Sequence, residues 1–161
     1  MDDISLKILK ILQEKARVPN VEVARRVGMA PSGVLERVRK LEKQGIIDGY
    51  EVRLNAARFG RSLVGFIFIT PRRGSDEQTL GQTLSAIPDI QEVHYVAGED
   101  AFLVKIRAAD VKALDRLRRE KIATLPQVHS TRTVVVMNTY KESASIPLDE
   151  AAIQNRKRRR T

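Results

Sequence analysis

The sequence predicts an α+β protein in which an N-terminal winged helix-turn-helix module is followed by a ferredoxin-like βαββαβ module. Apolar residues recur at helical spacing through the first part of the chain, and strand-like apolar runs alternate with helical patterns after Arg61. A chain of 161 residues accommodates two such small domains.

The first predicted helix is apolar on two sides. Ile4, Ile8 and Ile11 mark one face, while Leu6 and Leu9 lie on another. A helix of this kind packs against two partners. One partner is the rest of the helical module, and a second subunit is a candidate for the other.

The stretch from Val21 to Leu41 reads as two short helices that meet at Gly28. Glycine readily adopts the left-handed conformation that such a turn requires. Asn20 is a suitable N-cap for the first of the two helices. The pattern is that of a helix-turn-helix, in which the second helix is shaped to lie in the major groove of DNA.

The second of these helices carries a basic outer face opposite Val34, Val38 and Leu41, which recur at i, i+4 and i+7. A run of charges is usually only a solvated surface, but this run follows the hinge and therefore favours DNA contact. Residues near the start of such a helix usually read base edges, and later basic residues contact phosphates. The candidates are Ser32, Gly33 and Glu36 for bases, Arg37 and Lys40 for phosphates, and Arg39 and Lys43 on the same basic face.

Glycines at positions 45 and 49 are expected to end this helix. Tyr50 to Leu54 reads as a short strand that leads into a linker ending near Gly60. The expected domains are therefore residues 1–60, residues 61–142 and an extension over residues 143–161.

The second module repeats itself. Leu84–Ile90 resembles Ile122–Val128, 38 positions later, and each time a helix closes on a proline before a strand. Strands at Leu63–Thr70 and Phe102–Arg107 precede the helices, which gives one antiparallel sheet with both helices on one face. Thr133–Met137 is apolar on both sides, so a second copy of the sheet is expected to cover the open face. The helices present apolar faces made of Leu80, Leu84 and Ile87, and of Val111, Leu114 and Leu117.

The net charge of +9 is unevenly distributed. Residues 1–60 carry 12 Lys and Arg against 8 Asp and Glu, residues 61–155 carry 12 against 12, and Arg156–Arg160 is a run of five basic residues. A basic part attached to a neutral part is typical of a DNA reader with a separate regulatory module. The basic run has two interpretations. It is either an arm that contacts the phosphates of DNA or a charged end that only increases solubility.

Other function classes find little support. The chain has no cysteine, which excludes disulfides and cysteine-based zinc sites. His94 and His129 have no acidic pair at metal-ligand spacing, and no catalytic triad or phosphate loop is readable, so we expect no metal, no cofactor and no enzymatic activity. The absence of a membrane-length apolar run and of a signal peptide predicts a cytoplasmic protein that does not bind membranes.

The order of helix-turn-helix, linker and βαββαβ module resembles the Lrp/AsnC family, the feast/famine regulators. The similarity runs from about Asp2 to Glu142, and its most specific part is the string from Arg37 to Tyr50. In the second module it is carried by Val96–Asp100, Leu125–Val128 and Thr131–Thr133.

The resemblance implies an oligomeric transcription regulator that binds double-stranded DNA, dimerises through its second module and assembles into tetramers or octamers. Such a dimer predicts an operator that is an imperfect palindrome. The resemblance also implies a small effector, commonly an amino acid, bound between dimers near Gly98. The candidate effector residues are Val96, Ala97, Gly98, Glu99, Asp100, Thr131 and Thr133.

Three positions depart from the family pattern. Ala30 stands where Ser or Thr usually caps the recognition helix, which costs roughly 1 kcal/mol of local stability. Ser5 replaces a usual Asp. Ala101 replaces an Asp that helps to shape the effector loop, so a weaker or altered effector preference is expected.

Two other functions remain alternatives. Siroheme decarboxylases resemble the same family, and that activity would require His94 or His129 to line a pocket with basic residues. An architectural DNA-compacting protein would bind DNA with little sequence preference and a steep salt dependence.

Overall fold

A computed structural model describes residues 1–98 and 101–148, and the chain divides into two compact units. The first unit contains residues 1–53 together with the segment that begins at Glu142, and the second contains residues 54–141. The linker over residues 54–60 therefore groups with the second unit, and the start of the expected extension groups with the first. Glu99, Asp100 and the basic run Arg156–Arg160 lie outside the described residues.

The first unit is built from three helices, α1 (Asp3–Glu14), α2 (Asn20–Val27) and α3 (Pro31–Lys43). One apolar side of each helix faces the other two, as the helical spacing predicts. The buried centre consists of Ile8, Val23, Ala24 and Val34.

The second apolar side of α1 is also buried within the single chain. Leu6 and Leu9 are only 3% and 7% exposed. The suggestion that a second subunit covers this side is therefore wrong, because the chain itself already removes both leucines from water.

The turn between α2 and α3 forms at Gly28, whose φ of 70° lies in the left-handed region. Asn20 does not act as the expected N-cap. The helix begins at Asn20 itself, and the carbonyl of Pro19 accepts the first helical hydrogen bonds. Ala30 gives α3 no side-chain cap, as the sequence indicates.

The strand expected at Tyr50–Leu54 does not form. Val52 and Leu54 are largely exposed, and no strand of the described sheet pairs with this segment. An isolated strand leaves its backbone groups without partners, so the local pattern alone cannot stabilise it.

The second unit is a four-stranded antiparallel sheet in βαββαβ order, which confirms the predicted fold class. The strand order β2-β3-β1-β4 makes β1 and β3 central, and β2 and β4 the edges. The elements are β1 (Leu63–Pro71), α4 (Glu77–Ser85), β2 (Ile90–Tyr95), β3 (Phe102–Ala108), α5 (Val111–Leu117) and β4 (Val128–Val135).

The internal repeat is visible in the backbone. The N–H of Ile87 donates to the carbonyl of Leu84, and the N–H of Leu125 donates to the carbonyl of Ile122, in both cases at 3.1 Å. After each of these turns, the chain continues into an edge strand of the sheet. The two halves of the unit therefore use the same helix ending, as the sequence similarity predicts.

The core of this unit lies between the sheet and its two helices. Gly65 on β1 allows close approach of α5, since a Cβ at that position would lie 2.7 Å from Leu114 Cδ2. Two expectations are wrong at the ends of elements. Val111, at the first position of α5, is mostly exposed, and β4 ends at Val135, which leaves Met137 outside the sheet. The buried residues include Ile67, Ile69, Leu80, Leu84, Val104, Ile106, Leu114 and Ile122.

Among the described residues, none of the helices combines the length and the apolar character that crossing a lipid bilayer demands.

Candidate nucleic-acid interface and effector region

One face of α3 is exposed along its whole length, opposite the buried Val34 and Leu41. The side chains on this face recur at intervals of three and four residues and so lie above one another. We call this surface the α3 stripe, and it consists of Ser32, Glu36, Arg39, Lys40 and Lys43.

The cations of the α3 stripe have no ion-pair partner among the residues that the structure describes. Within residues 1–98 and 101–148, Arg39, Lys40 and Lys43 form no ion pair. Their charged groups are therefore available to an external anion. Gly33 lies half-buried at the margin of the stripe and offers only backbone groups to a partner.

Arg37, which the sequence placed at a DNA phosphate, lies on a different side of α3. Its guanidinium pairs with the carboxylate of Asp2 and donates to Ser5 Oγ at 3.1 Å. The Ser5 hydroxyl belongs to a residue that is only 8% exposed. The structure therefore shows Arg37 as a brace between α3 and the start of α1.

Asp2 serves both helices at this point. Its carboxylate caps α1 by accepting a hydrogen bond from the Ser5 backbone N–H at 2.8 Å. That bond and the Arg37 guanidinium hold the pKa of the Asp2 carboxyl well below its ordinary value. The ionised carboxylate therefore links the start of α1 to α3.

The effector candidates fall into two places that one chain does not bring together. Val96–Gly98 follow β2, where the Val96 N–H donates to the Ala101 carbonyl at 2.8 Å and closes the loop. Thr131 and Thr133 lie on β4, at the opposite edge of the sheet. Three strand spacings, about 14 Å, separate these edges. A site that uses both sets needs a second copy of the chain.

An open groove of about 710 Å³ lies between α4 and β2 beside the effector loop. Tyr95 and Phe102 flank the loop and line the wall of the groove. Their rings pack edge to face, with 5.2 Å between the ring centroids. The Tyr95 hydroxyl donates to Glu77 at 2.6 Å. The sequence interpretation missed this groove. Its one signal is Gly81 in the middle of α4, where a side chain would approach Phe102.

The sheet face that points away from the helices carries an apolar patch. Strand alternation places Phe66 and Phe68 on this face because Ile67 and Ile69 point into the core. The cations around the patch are engaged: Arg132 lies 4.0 Å from the Phe68 ring centroid, and Lys105 pairs with Glu92 at 2.8 Å. We call this surface the outer sheet patch, and it consists of Phe66, Phe68, Leu103 and Val134, whereas Val64 on the same face is only 8% exposed.

The two histidines do not share a site. His94 lies on β2 and His129 on β4, the opposite edges of the sheet, and both are exposed. The groove beside β2 is lined by no histidine and no basic residue. Within the described ranges, no three acidic or histidine side chains cluster as metal ligands. In the described part of the chain, neither histidine lines the groove beside β2.

Comparison with known proteins covers both units. A family model described as winged helix-turn-helix DNA-binding matches residues 1–48, and one described as Lrp/AsnC ligand binding domain matches residues 64–146. The chain belongs to the Lrp/AsnC family. This confirms the resemblance that the sequence carries, and it identifies this Lrp/AsnC protein as a DNA-binding transcription regulator.

Relatives and solved structures agree. The chain is 41% identical over 145 residues to the leucine-responsive regulatory proteins of Klebsiella pneumoniae and Escherichia coli (strain K12), and each match covers 89% of the chain and 88% of the relative. It is similar to a Neisseria meningitidis transcriptional regulator solved with L-Met, with a TM-score of 0.89 at 26% identity over 94% of this chain and 99% of that one. A feast or famine regulatory protein from M. tuberculosis, complexed with L-methionine, gives 0.82 at 30% identity over 90% and 97%.

Proposed function

We propose that this Lrp/AsnC protein binds a specific DNA sequence through the α3 stripe and changes its activity when it binds an amino acid. The observation that carries the proposal is the stripe itself, where three cations that form no ion pair in the described chain share one exposed helix face with Ser32 and Glu36. The relatives are named regulators, which supports a function in binding rather than in catalysis. The relatives come from bacteria, in which the chromosomal DNA lies in the cytoplasm. This supports a cytoplasmic location.

The residues of the stripe divide by position. Ser32 and Glu36 lie in the first half of α3, the part that reads base edges in helix-turn-helix complexes. A glutamate accepts hydrogen bonds from the amino group of cytosine, and a serine bonds to either type of base edge. Arg39, Lys40 and Lys43 lie further along and supply charge to the phosphates.

The outer sheet patch supports assembly through a second copy of the sheet. Covering this apolar face costs little free energy of desolvation, because the cations that flank it already have partners within the chain. An apolar patch of this kind is typical of a protein–protein contact. Two copies related by a two-fold axis present two α3 helices, so the operator is expected to be an imperfect palindrome. Further assembly into tetramers or octamers remains part of this proposal.

The proposed effector is an amino acid held at the Val96–Gly98 loop. The relatives solved with L-methionine support an amino-acid ligand. Tyr95 and Phe102 offer an apolar wall beside the loop for a side chain. The hydroxyls of Thr131 and Thr133 from a second copy would meet the charged ends, and Glu99 and Asp100 remain candidates from the sequence.

Selection from a random pool of duplexes tests the DNA proposal. We expect enrichment of an imperfect palindrome with half-sites one helical turn or a multiple apart. Glu36→Gln is expected to change the preferred bases without changing the salt dependence. A pool that remains unenriched despite tight binding would contradict sequence-specific recognition and favour the architectural alternative.

Thermal shift with L-methionine and L-leucine tests the effector. A ligand that binds only the folded protein stabilises it by roughly 2.7 kcal/mol at 100 times its dissociation constant. We expect Gly98→Trp to remove the shift, whereas Gly74→Trp, at another loop glycine with positive φ and open space, retains it. If the unmodified protein responds to neither amino acid, or if both variants respond equally, the proposed effector site is wrong.

A further inference from the structure

Two arginines directly after α5 share one carboxylate. Arg118 donates from Nε and Nη2 to Asp115 Oδ1 at 3.2 and 2.7 Å, and Arg119 Nε donates to Asp115 Oδ2 at 2.9 Å. These hydrogen bonds, first that of Arg118 and then that of Arg119, hold the pKa of the Asp115 carboxyl below its ordinary value. The ionised carboxylate balances only one of the two guanidiniums, so this group of three side chains keeps a net positive charge.

The two arginines differ in what else they contact. Arg118 Nη1 approaches Thr131 Oγ1 at 3.4 Å, the long end of the hydrogen-bond range. Among the residues that the structure describes, Arg119 contacts only Asp115. The Arg118 side chain is 28% exposed and that of Arg119 is 60% exposed. Arg118 is therefore the guanidinium that lies against β4, beside an effector candidate.

The guanidinium of Arg118 keeps donors that the protein does not use. Of its five N–H groups, two bind Asp115 and one approaches Thr131, which leaves a second N–H on each of Nη1 and Nη2. No further acceptor in the described part of the chain contacts Arg118. Two such N–H groups match the two oxygens of a carboxylate. The Thr131 hydroxyl accepts from Arg118 and still has its own hydrogen to donate.

The backbone brings these two side chains together at the edge of the sheet. Thr131 pairs across the strands with Ile69, which points into the core, so Thr131 lies on the side of the sheet that faces the helices. Arg118 begins a π turn, in which its carbonyl accepts from the Ala123 N–H at 2.8 Å. Such turns are rare and are frequent at functional sites.

We propose that Arg118, together with the Thr131 hydroxyl, binds the α-carboxylate of the amino-acid effector. The inference rests on the proposed effector site, in which Thr131 of one copy meets the Val96–Gly98 loop of another. It specifies the ligand class as an α-amino acid with a free carboxylate. A carboxamide is a poor substitute, because it offers the guanidinium one neutral oxygen and turns N–H groups toward a cation.

The first experiment measures how much binding depends on the carboxylate. Isothermal titration calorimetry compares L-methionine with L-methioninamide on the full chain at about pH 6, where both compounds carry a protonated amino group. We expect L-methionine to bind more than about tenfold more tightly, since hydrogen bonds to an ionised group are the strong ones. Equal affinity for the two compounds would overturn the inference alone. Failure to bind either L-methionine or L-leucine would overturn the proposed effector site itself.

The second experiment tests whether Arg118 makes the contact. We expect Arg118→Gln to weaken L-methionine about tenfold or more and to leave L-methioninamide unchanged, so that the preference disappears. Arg119→Gln is the matched control, because it removes the other guanidinium from Asp115 without touching Thr131. It is expected to keep the preference. A preference that survives Arg118→Gln in a folded protein, or that both variants lose equally, would overturn the assignment.

Thr131→Val tests the same contact from β4 and leaves the arginine pair in place. It removes the hydroxyl and keeps the branched shape, so it serves even if Arg118→Gln does not fold. We expect the preference for L-methionine over L-methioninamide to fall several-fold, less than with Arg118→Gln, because one neutral donor is lost. An unchanged preference would overturn the placement of the carboxylate at Thr131.

Discussion

The two units leave exposed surfaces of opposite character. On the α3 stripe, Arg39, Lys40 and Lys43 have no ion-pair partner in the described chain. Around the outer sheet patch, Lys105 pairs with Glu92, and Arg132 lies over Phe68. Unpaired cations attract a polyanion. Paired cations around apolar side chains are compatible with burial of the surface in a protein–protein interface. The same residue types thus point to DNA on one unit and to a second copy on the other.

A similar contrast exists within α3. Arg37 and Lys40 are three positions apart, and both belong to the basic run that the sequence displays. Arg37 is held by Asp2 and Ser5, whereas Lys40 is exposed. The basic character of a helix therefore does not say which of its charges reaches a ligand.

Among these predictions, a charge introduced on the outer sheet patch should have the largest effect, and the affected property is dimer affinity. Phe68→Lys places a second cation beside Arg132 and would bury it in a dimer interface. An unpaired buried charge costs about 3 kcal/mol or more, so we expect dimer affinity to fall by more than about a hundredfold. Sedimentation velocity measures the change.

The matched control is Val52→Lys, an equally drastic change at an apolar residue that is exposed in the first unit. It is expected to leave the assembly unchanged. If Phe68→Lys also leaves the assembly unchanged, the outer sheet patch is not the interface.

Loss of the brace should have a smaller effect, and on stability alone. Arg37→Ala removes the partner of Asp2 and Ser5. Because the Asp2 carboxylate is more than half exposed and the pair is therefore screened by water, we expect the free energy of unfolding to fall by only about 1 kcal/mol. Urea unfolding measures this change. Arg39→Ala should instead leave stability unchanged and weaken DNA binding, and the reverse pattern would contradict the two roles.

A cap on the recognition helix should have an effect of similar or smaller size and of opposite sign. Ala30→Ser supplies a side-chain oxygen that can accept the N–H of Gly33, at a helix start that has no side-chain cap. We expect a gain of about 1 kcal/mol in the free energy of unfolding. Ala57→Ser is the control, because it lies in a short 3₁₀ helix (Ala56–Phe59) that Asn55 already caps. A decrease in stability would show that the start of α3 needs Ala30 for another reason.

The smallest effect is the pH dependence of the brace. The pKa of Asp2 is lower in the folded protein than in the unfolded chain, where it is about 3.9. Its stabilisation is therefore fully present above that value and is lost as the pH falls through the lower, folded pKa. We expect the stability difference between the unmodified protein and Asp2→Asn to be constant near neutral pH and to shrink in acid. A difference that persists in strong acid would contradict the assignment, and Asp3→Asn controls for charge at the same helix end.

Local patterns predicted most of the fold. Apolar spacing located α1, α2 and α3, and the repeated helix endings located both edge strands, because these elements depend on nearby residues. The strand at Tyr50–Leu54 was wrong because a strand needs a partner that the local sequence does not supply. The contact between Arg37 and Asp2 was not predicted because Asp2 is 35 positions away and only the packing of α1 on α3 brings the two together.

The effector candidates show the same limit. The sequence named Gly98 and Thr131 together, yet Gly98 lies in the loop that follows β2, and Thr131 lies on β4 at the opposite edge of the sheet. The groove beside Tyr95 depends on how α4 packs over β2, and only the interior glycine of α4 indicated it.

The salt dependence of DNA binding by the doubly substituted Arg39→Gln, Lys40→Gln protein tests the central claim most directly. The α3 stripe is expected to contact phosphates through these two side chains. The slope of log affinity against log salt should therefore become shallower by about 0.9 for each phosphate that the stripe no longer neutralises, with helix content and assembly unchanged. Unchanged affinity and slope in a correctly folded, correctly assembled protein would contradict the assignment of the α3 stripe as the DNA-binding surface.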